Sequence, residues 1–116
     1  MEVVMMELNR GDICLVNFNP AKGGEIGKLR PAIVMSSAEE NRMLDTVIVI
    51  PLSTYIETDS LPYRYTITKR DKLQQNSDAC IYEIRALSKM RVKEILAKLT
   101  SNELSVIQNA LCEILG

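Results

Sequence analysis

Hydrophobic positions in this chain come in short bursts separated by polar or turn-forming stretches. Only the last burst has helical spacing. Arg10-Gly11-Asp12 is a turn signal, and Ile13 to Phe18 behind it is short and apolar enough for a first strand. Asn19-Pro20 stops that strand, and residues 21–29 read as a loop. Pro31 to Met35 makes a second strand, with proline as its first residue. Ser36 to Leu44 is polar, with room for one helical turn through Ala38 to Arg42. Thr46 to Ile50 is β-branched and apolar on both faces, the pattern of a central strand, which Pro51 is expected to end. Ser53 and Thr54 then stand at the strand exit, before a loop over 55–61.

Tyr63 to Thr68 alternates as a half-exposed strand does, Lys69 to Asp78 reads as loop, and Ala79 to Leu87 as one continuous strand. Lys89 to Lys93 suggests a short helical link, and Glu94 to Leu99 fits a closing strand or a helix. The C-terminal segment is a clear helix. Thr100-Ser101-Asn102-Glu103 is a capping box, followed by an apolar stripe of Leu104, Ile107, Leu111 and Ile114, with Gly116 at the stop. Many short strands and one terminal helix predict a mainly β fold, a small barrel of strongly bent antiparallel strands with the helix packed on it.

At 116 residues the chain is expected to form one domain, 1–116. Its 47% hydrophobic and 25% charged residues are those of an ordinary folded protein. The longest apolar run, Val47 to Leu52, is far short of the roughly 20 residues that span a bilayer. The first six residues carry an acid and no base ahead of their apolar stretch, so neither a secretory signal nor a membrane partner is expected. Three widely spaced cysteines, Cys14, Cys80 and Cys112, with no histidine, point to free thiols in a reducing cytoplasm and to no metal site or cofactor. The net charge of −1 exerts no global pull on nucleic acid. Locally, Arg64, Lys69, Arg70 and Lys72 face only Asp71, and Lys22, Lys28 and Arg30 face only Glu25, which allows a polyanion groove without requiring one.

The candidate chemistry centres on Gly23-Gly24-Glu25-Ile26-Gly27-Lys28-Leu29-Arg30-Pro31, where a glycine loop runs into a fixed arginine and proline. A guanidinium stays charged at physiological pH and presents a rigid fork of donors to a phosphate. A hairpin loop whose arginine makes a structural salt bridge fits the same residues. The run is not a nucleotide-binding P-loop: its glycines enclose too few residues, Leu29 replaces the metal-binding hydroxyl, and a strand follows instead of a helix. Without histidine no Ser-His-Asp or Cys-His nucleophile can be assembled.

Taken in order, Arg10-Gly11-Asp12-Ile13, Phe18-Asn19-Pro20, Gly23-Gly24-Glu25, Arg30-Pro31, Ile48-Val49-Ile50-Pro51-Leu52-Ser53 and Glu83-Ile84-Arg85 form a specific pattern. With it the chain resembles the MazF/PemK-like toxins of bacterial type II toxin–antitoxin systems over about residues 8–115. The resemblance implies an SH3-like barrel with a C-terminal helix, shared with CcdB. It also implies a homodimer, a cognate antitoxin, and metal-independent, sequence-specific cleavage of single-stranded RNA that leaves a 2′,3′-cyclic phosphate and a 5′-hydroxyl. It puts the catalytic arginine at Arg30 and the catalytic hydroxyl, a threonine in the family, at Ser53. RNA contacts fall on Lys22, Gly23, Gly24, Glu25, Lys28, Thr54, Glu83 and Arg85.

The chain departs from the family pattern at Ser53, at Ile26 and at Glu83, where glutamine is common at the latter two. Serine keeps the hydroxyl and loses the methyl that restricts its rotamer. Glu83 accepts hydrogen bonds and cannot donate them, which changes the base edge it reads. Thr54 could supply the hydroxyl only if the strand exit were shifted by one residue. Two other readings use the same fold: a non-catalytic toxin that binds a protein target such as gyrase, as CcdB-like toxins do, and a degenerate toxin disabled at Ser53.

Overall fold

A computed structural model of the chain describes residues 6–18 and 28–116. Among these residues seven strands form one antiparallel sheet: β1 (Asp12–Asn17), β2 (Leu29–Val34), β3 (Thr46–Ser53), β4 (Arg64–Ile67), β5 (Ser77–Cys80), β6 (Arg85–Ser88) and β7 (Val92–Lys98). A one-and-a-half-turn helix α1 (Ala38–Met43) joins β2 to β3, and α2 (Ser101–Leu115) closes the chain. The spatial order is β4-β5-β3-β2-β1-β7, with β6 beside the first half of β3. Two register shifts between β1 and β7 bend the sheet, as bulges do. The bend brings the loop after β4 back to β7, where the Lys72 N–H donates to the Leu96 carbonyl at 3.0 Å.

β3 organises the sheet because it has three neighbours. One edge pairs with β2, and the other is shared by β6 over Thr46–Val49 and β5 over Leu52–Ser53. Pro51 therefore does not end the strand as expected. It lies inside β3, opposite Ala32, in the gap where β6 hands over to β5, a place where a residue without an N–H is tolerated. The continuous strand expected over Ala79 to Leu87 is likewise two strands separated by a 3-10 turn at Ile81–Glu83. This turn lets β5 and β6 serve the two halves of β3. Glu94 to Leu99 falls mostly in strand, not helix.

Alternation across the pleat creates two apolar layers. Ile13, Ile33, Ile50, Leu52, Ile67, Ala79 and Ile81 form one, closed by Ile107 and Ala110 of α2 with Leu104, Leu111 and Ile114 beside them. Cys14, Val16, Ala32, Val34, Val47, Val49, Leu87 and Val92 form the other, with Phe18 at its margin. The Arg10-Gly11-Asp12 turn is structural. Gly11 has φ +94°, a conformation that favours glycine, and its N–H donates to Val34 O at 2.8 Å while its carbonyl accepts from Leu99 N at 2.9 Å.

The capping box of α2 is formed as the sequence predicts: Glu103 N–H donates to Thr100 Oγ1 at 3.1 Å, and Thr100 N–H donates to Glu103 Oε1 at 2.8 Å. Glu103 is also gripped by Arg70, whose Nη2 donates to Oε2 at 2.7 Å. The basic cluster of the 62–72 segment is thus largely used within the fold. Arg70 pairs with Glu103, Lys72 with Glu94 at 3.7 Å, and Arg64 with Asp78 at 3.2 Å.

The hydrogen bond from Arg70, helped by the Thr100 cap and opposed by burial, holds the Glu103 carboxyl below its ordinary value. Glu103 then binds its proton more weakly folded than unfolded. Its contribution is present above the usual carboxylate range and lost as the pH falls through the lowered value. Arg70→Ala is expected to lower stability by about 1–2 kcal/mol at neutral pH and by less in acid, measured by urea unfolding under both conditions.

Candidate functional site

Arg30 is the second residue of β2 and is half-buried. Val16 of β1 is its partner in the pairing, and Arg30 shares the parity of Ala32 and Val34, whose side chains belong to the second apolar layer. On β3 the same layer receives Val49, and Pro51 and Ser53 continue that parity. The β2–β3 register runs Val34↔Val49, Ile33↔Ile50 and Ala32↔Pro51. The pairing ends at Ala32↔Pro51; Arg30 and Ser53 each lie two residues beyond that pair and share its parity. Among the described residues no carboxylate pairs with Arg30.

Ser53 is half-buried, and its Oγ accepts the Tyr55 N–H at 3.2 Å. That bond fixes the oxygen through a lone pair and leaves the hydroxyl proton for another acceptor. Arg85 pairs with Val49 across β3 and β6 and therefore shares the Arg30–Ser53 face. Its guanidinium lies 5.6 Å from the centroid of the Phe18 ring. The Lys28 carbonyl accepts the Phe18 N–H at 3.0 Å, which keeps the exposed Lys28 at the same end.

Thr54 has the opposite parity. It lines a separate cleft of about 660 Å³ on the other face, with Leu15, Pro31 and Lys72. The structure does not bring it to Arg30. Glu83, exposed on the 3-10 turn, borders a third space, a cleft of about 400 Å³ formed with Tyr63, Tyr82, Arg64 and Glu57. Cys80 connects this cleft to the arginine. Its thiol lines the cleft and is raised above its ordinary value, chiefly by burial, while Arg64 and Arg30 both pull it down and Glu83 and Asp78 push it up. Cys14 is pushed up to about 12 by burial and by Asp12, so it stays protonated. Lys22, Gly23, Gly24 and Glu25 lie outside the described residues, as do Asn19-Pro20 and Ile26.

The residue missed in the sequence is Asp78, which falls in a segment that reads as loop. It is fully buried in β5 and directly opposite Ser53. Thr66 Oγ1 donates to its Oδ1 at 2.6 Å; Arg64 Nη1 at 3.2 Å and the Glu57 N–H at 2.8 Å donate to its Oδ2. Arg64 Nη1 also donates to the Tyr55 carbonyl at 2.8 Å. One carboxylate thus ties β4 and the 55–57 loop to the strand rung that carries Ser53. The sequence signal was an acid directly ahead of the small and apolar run Ala79-Cys80-Ile81, one residue before the strand was expected to begin.

A family model for the PemK-like, MazF-like toxins of type II toxin–antitoxin systems matches residues 9–115. The chain belongs to this family. It is 33% identical over 110 residues to an endoribonuclease MazF of Staphylococcus epidermidis, covering 94% of this chain and 92% of that protein. The crystal structure of a MazF from Deinococcus radiodurans superimposes with a TM-score of 0.77 at 25% identity, covering 97% of this chain and 99% of the other. A MazE–MazF crystal structure from the same organism gives 0.80 at 23% identity, over 97% and 98% of the two chains, and bears on the fold. A bent antiparallel sheet with a C-terminal helix is the architecture expected for such a toxin. Among the described residues no helix is long and apolar enough to cross a membrane.

Removing Asp78 would leave the Arg64 charge, the Thr66 hydroxyl and a loop N–H without their shared acceptor. Asp78→Ala is expected to cost about 3–5 kcal/mol in denaturant unfolding. A variant as stable as the parent would contradict its role as the anchor of the β3 exit.

Proposed function

We propose that this protein is the toxin of a type II toxin–antitoxin system and acts as an endoribonuclease on single-stranded RNA, with Arg30 and Ser53 as its catalytic pair. The observation that supports the reading is the β2–β3 register: the half-buried Arg30 and Ser53 each lie two residues beyond its last pair, Ala32↔Pro51, and share its parity. The Staphylococcus epidermidis relative, an endoribonuclease by name, supports the activity, and the MazE–MazF complex supports a cognate antitoxin as partner. Family resemblance also suggests a homodimer. Three free thiols, two of them buried, suit a cytoplasmic home.

In the proposed reaction a ribose 2′-oxygen attacks the adjacent phosphorus and the P–O5′ bond breaks. The 2′-hydroxyl gives up one proton and the leaving O5′ takes one up, so a 2′,3′-cyclic phosphate and a 5′-hydroxyl result without consuming water. Because nucleophile and phosphate belong to one molecule, much of the entropic barrier is absent. Charge then accumulates on the phosphoryl oxygens and on O5′, and Arg30 supplies fixed, charge-assisted donors to them. A guanidinium releases a proton reluctantly, so its main part is charge stabilisation. The Ser53 proton orients a phosphate oxygen or the 2′-hydroxyl. Arg85 and Lys28 hold the backbone nearby, and the family resemblance adds Lys22, Gly23, Gly24 and Glu25 to the RNA contacts. Splayed, unpaired bases are needed for such alignment, which favours single strands.

Purified protein incubated with a long unstructured RNA in EDTA is expected to yield cyclic-phosphate ends. Arg30→Ala should slow this by roughly a hundred- to thousandfold while leaving the fold intact. Ser53→Ala should also lower the rate strongly, Ser53→Thr should retain or raise it, and Thr54→Ala should have the smaller effect of the two neighbours. Intact RNA with the parent protein, or an Arg30→Ala variant of unchanged rate, would contradict the proposal.

A further inference from the structure

The chain has four tyrosines and one phenylalanine, yet Tyr55, Tyr63 and Tyr82 are 65%, 56% and 69% exposed. One exposed ring is ordinary. Two of these three, Tyr63 and Tyr82, line one cleft, and such a pair calls for an occupant. The Tyr63 and Tyr82 rings stand 5.9 Å apart at 73°, an edge-to-face pair, and both line the 400 Å³ cleft. Arg64 lines it too, held between Asp78 and the Tyr55 carbonyl with its guanidinium 5.7 Å from the Tyr55 ring. The size is within the range of clefts that hold small planar ligands.

The charge of the cleft narrows the ligand. Glu57, Asp59 and Glu83 line it, and these carboxylates accept hydrogen bonds and repel phosphate. Arg30, which no carboxylate among the described residues pairs with, and Arg85 lie on the neighbouring sheet face. Anionic backbone and neutral base would therefore be drawn to different places. A nucleobase suits the acidic cleft on both counts: its flat face stacks on an aromatic ring, and its edge can offer donors to carboxylates.

Resting on the endoribonuclease reading, we propose that the cleft lined by Tyr63 and Tyr82 seats one unpaired base of the RNA and selects bases that carry an exocyclic amine over uracil. Tyr82, the more exposed ring, is the stacking platform. Glu83 accepts from the amine. Adenine, cytosine and guanine each present an exocyclic amino group there, whereas the single edge N–H of uracil is flanked by two carbonyl oxygens that the carboxylates repel.

The test uses fluorescence anisotropy with labelled single-stranded 2′-O-methyl oligonucleotides of adenine, cytosine or uracil, which bind without being cleaved. The parent is expected to hold the adenine and cytosine oligomers more tightly than the uracil oligomer. Tyr82→Ala should weaken the first two roughly 5- to 100-fold, and Tyr82→Phe should recover what alanine loses. Glu83→Gln should narrow the gap to uracil. Unchanged affinities in Tyr82→Ala and Tyr63→Ala, or uracil bound as tightly as the other two, would overturn the assignment. If the parent still cleaves RNA in EDTA, such a result rejects the cleft alone. If the parent neither binds nor cleaves, both readings fall.

Discussion

The site depends on the register between β2 and β3. Side chains alternate with a strict period of two, so a slip of one residue would send Arg30 to one face of the sheet and Ser53 to the other. The register is held because both faces of these strands are buried: Val34, Val49 and Ala32 pack in one layer and Ile33 and Ile50 in the other. A slip would exchange the layers at every position. The apolar run that builds the core thus also fixes the shared parity of the two polar groups at its end.

A second constraint acts where the ladder runs out. Beyond Ser53 the strand leaves the sheet, and loops at such exits are free to wander. Asp78 prevents this by receiving donors from β4, from the 55–57 loop and from the Arg64 side chain at once. A buried carboxylate is tolerable there because a guanidinium, a hydroxyl and an amide together replace its water. The same network positions Arg64 beneath the Tyr63–Tyr82 cleft. Core alignment, loop anchoring and the candidate base subsite are therefore linked through two neighbouring rungs of β5.

Much of this was legible in the chain. The capping box and apolar stripe of α2, the central character of Thr46 to Ile50, and the arginine and serine at the strand ends all followed from local rules. Motif resemblance supplied the roles proposed for the last two. Three features were not legible, and each depends on tertiary context. Pro51 inside β3 is allowed only because the partner strand changes there, which pairing alone reveals. The break at Ile81–Glu83 interrupts a run whose composition suits a strand throughout, since β5 and β6 must serve different halves of β3. The basic cluster over 62–72 suggested a groove, whereas its arginines meet Asp78 and Glu103, partners distant in sequence.

If one phosphate lies between Arg30 and Ser53, the two act as a unit, and their substitutions cannot be independent. The measurement that tests this most directly is a double-mutant cycle on RNA cleavage with Arg30→Ala, Ser53→Ala and the combined variant. A combined loss well short of the product of the single losses is the predicted result. Losses that multiply as independent factors would contradict the shared site.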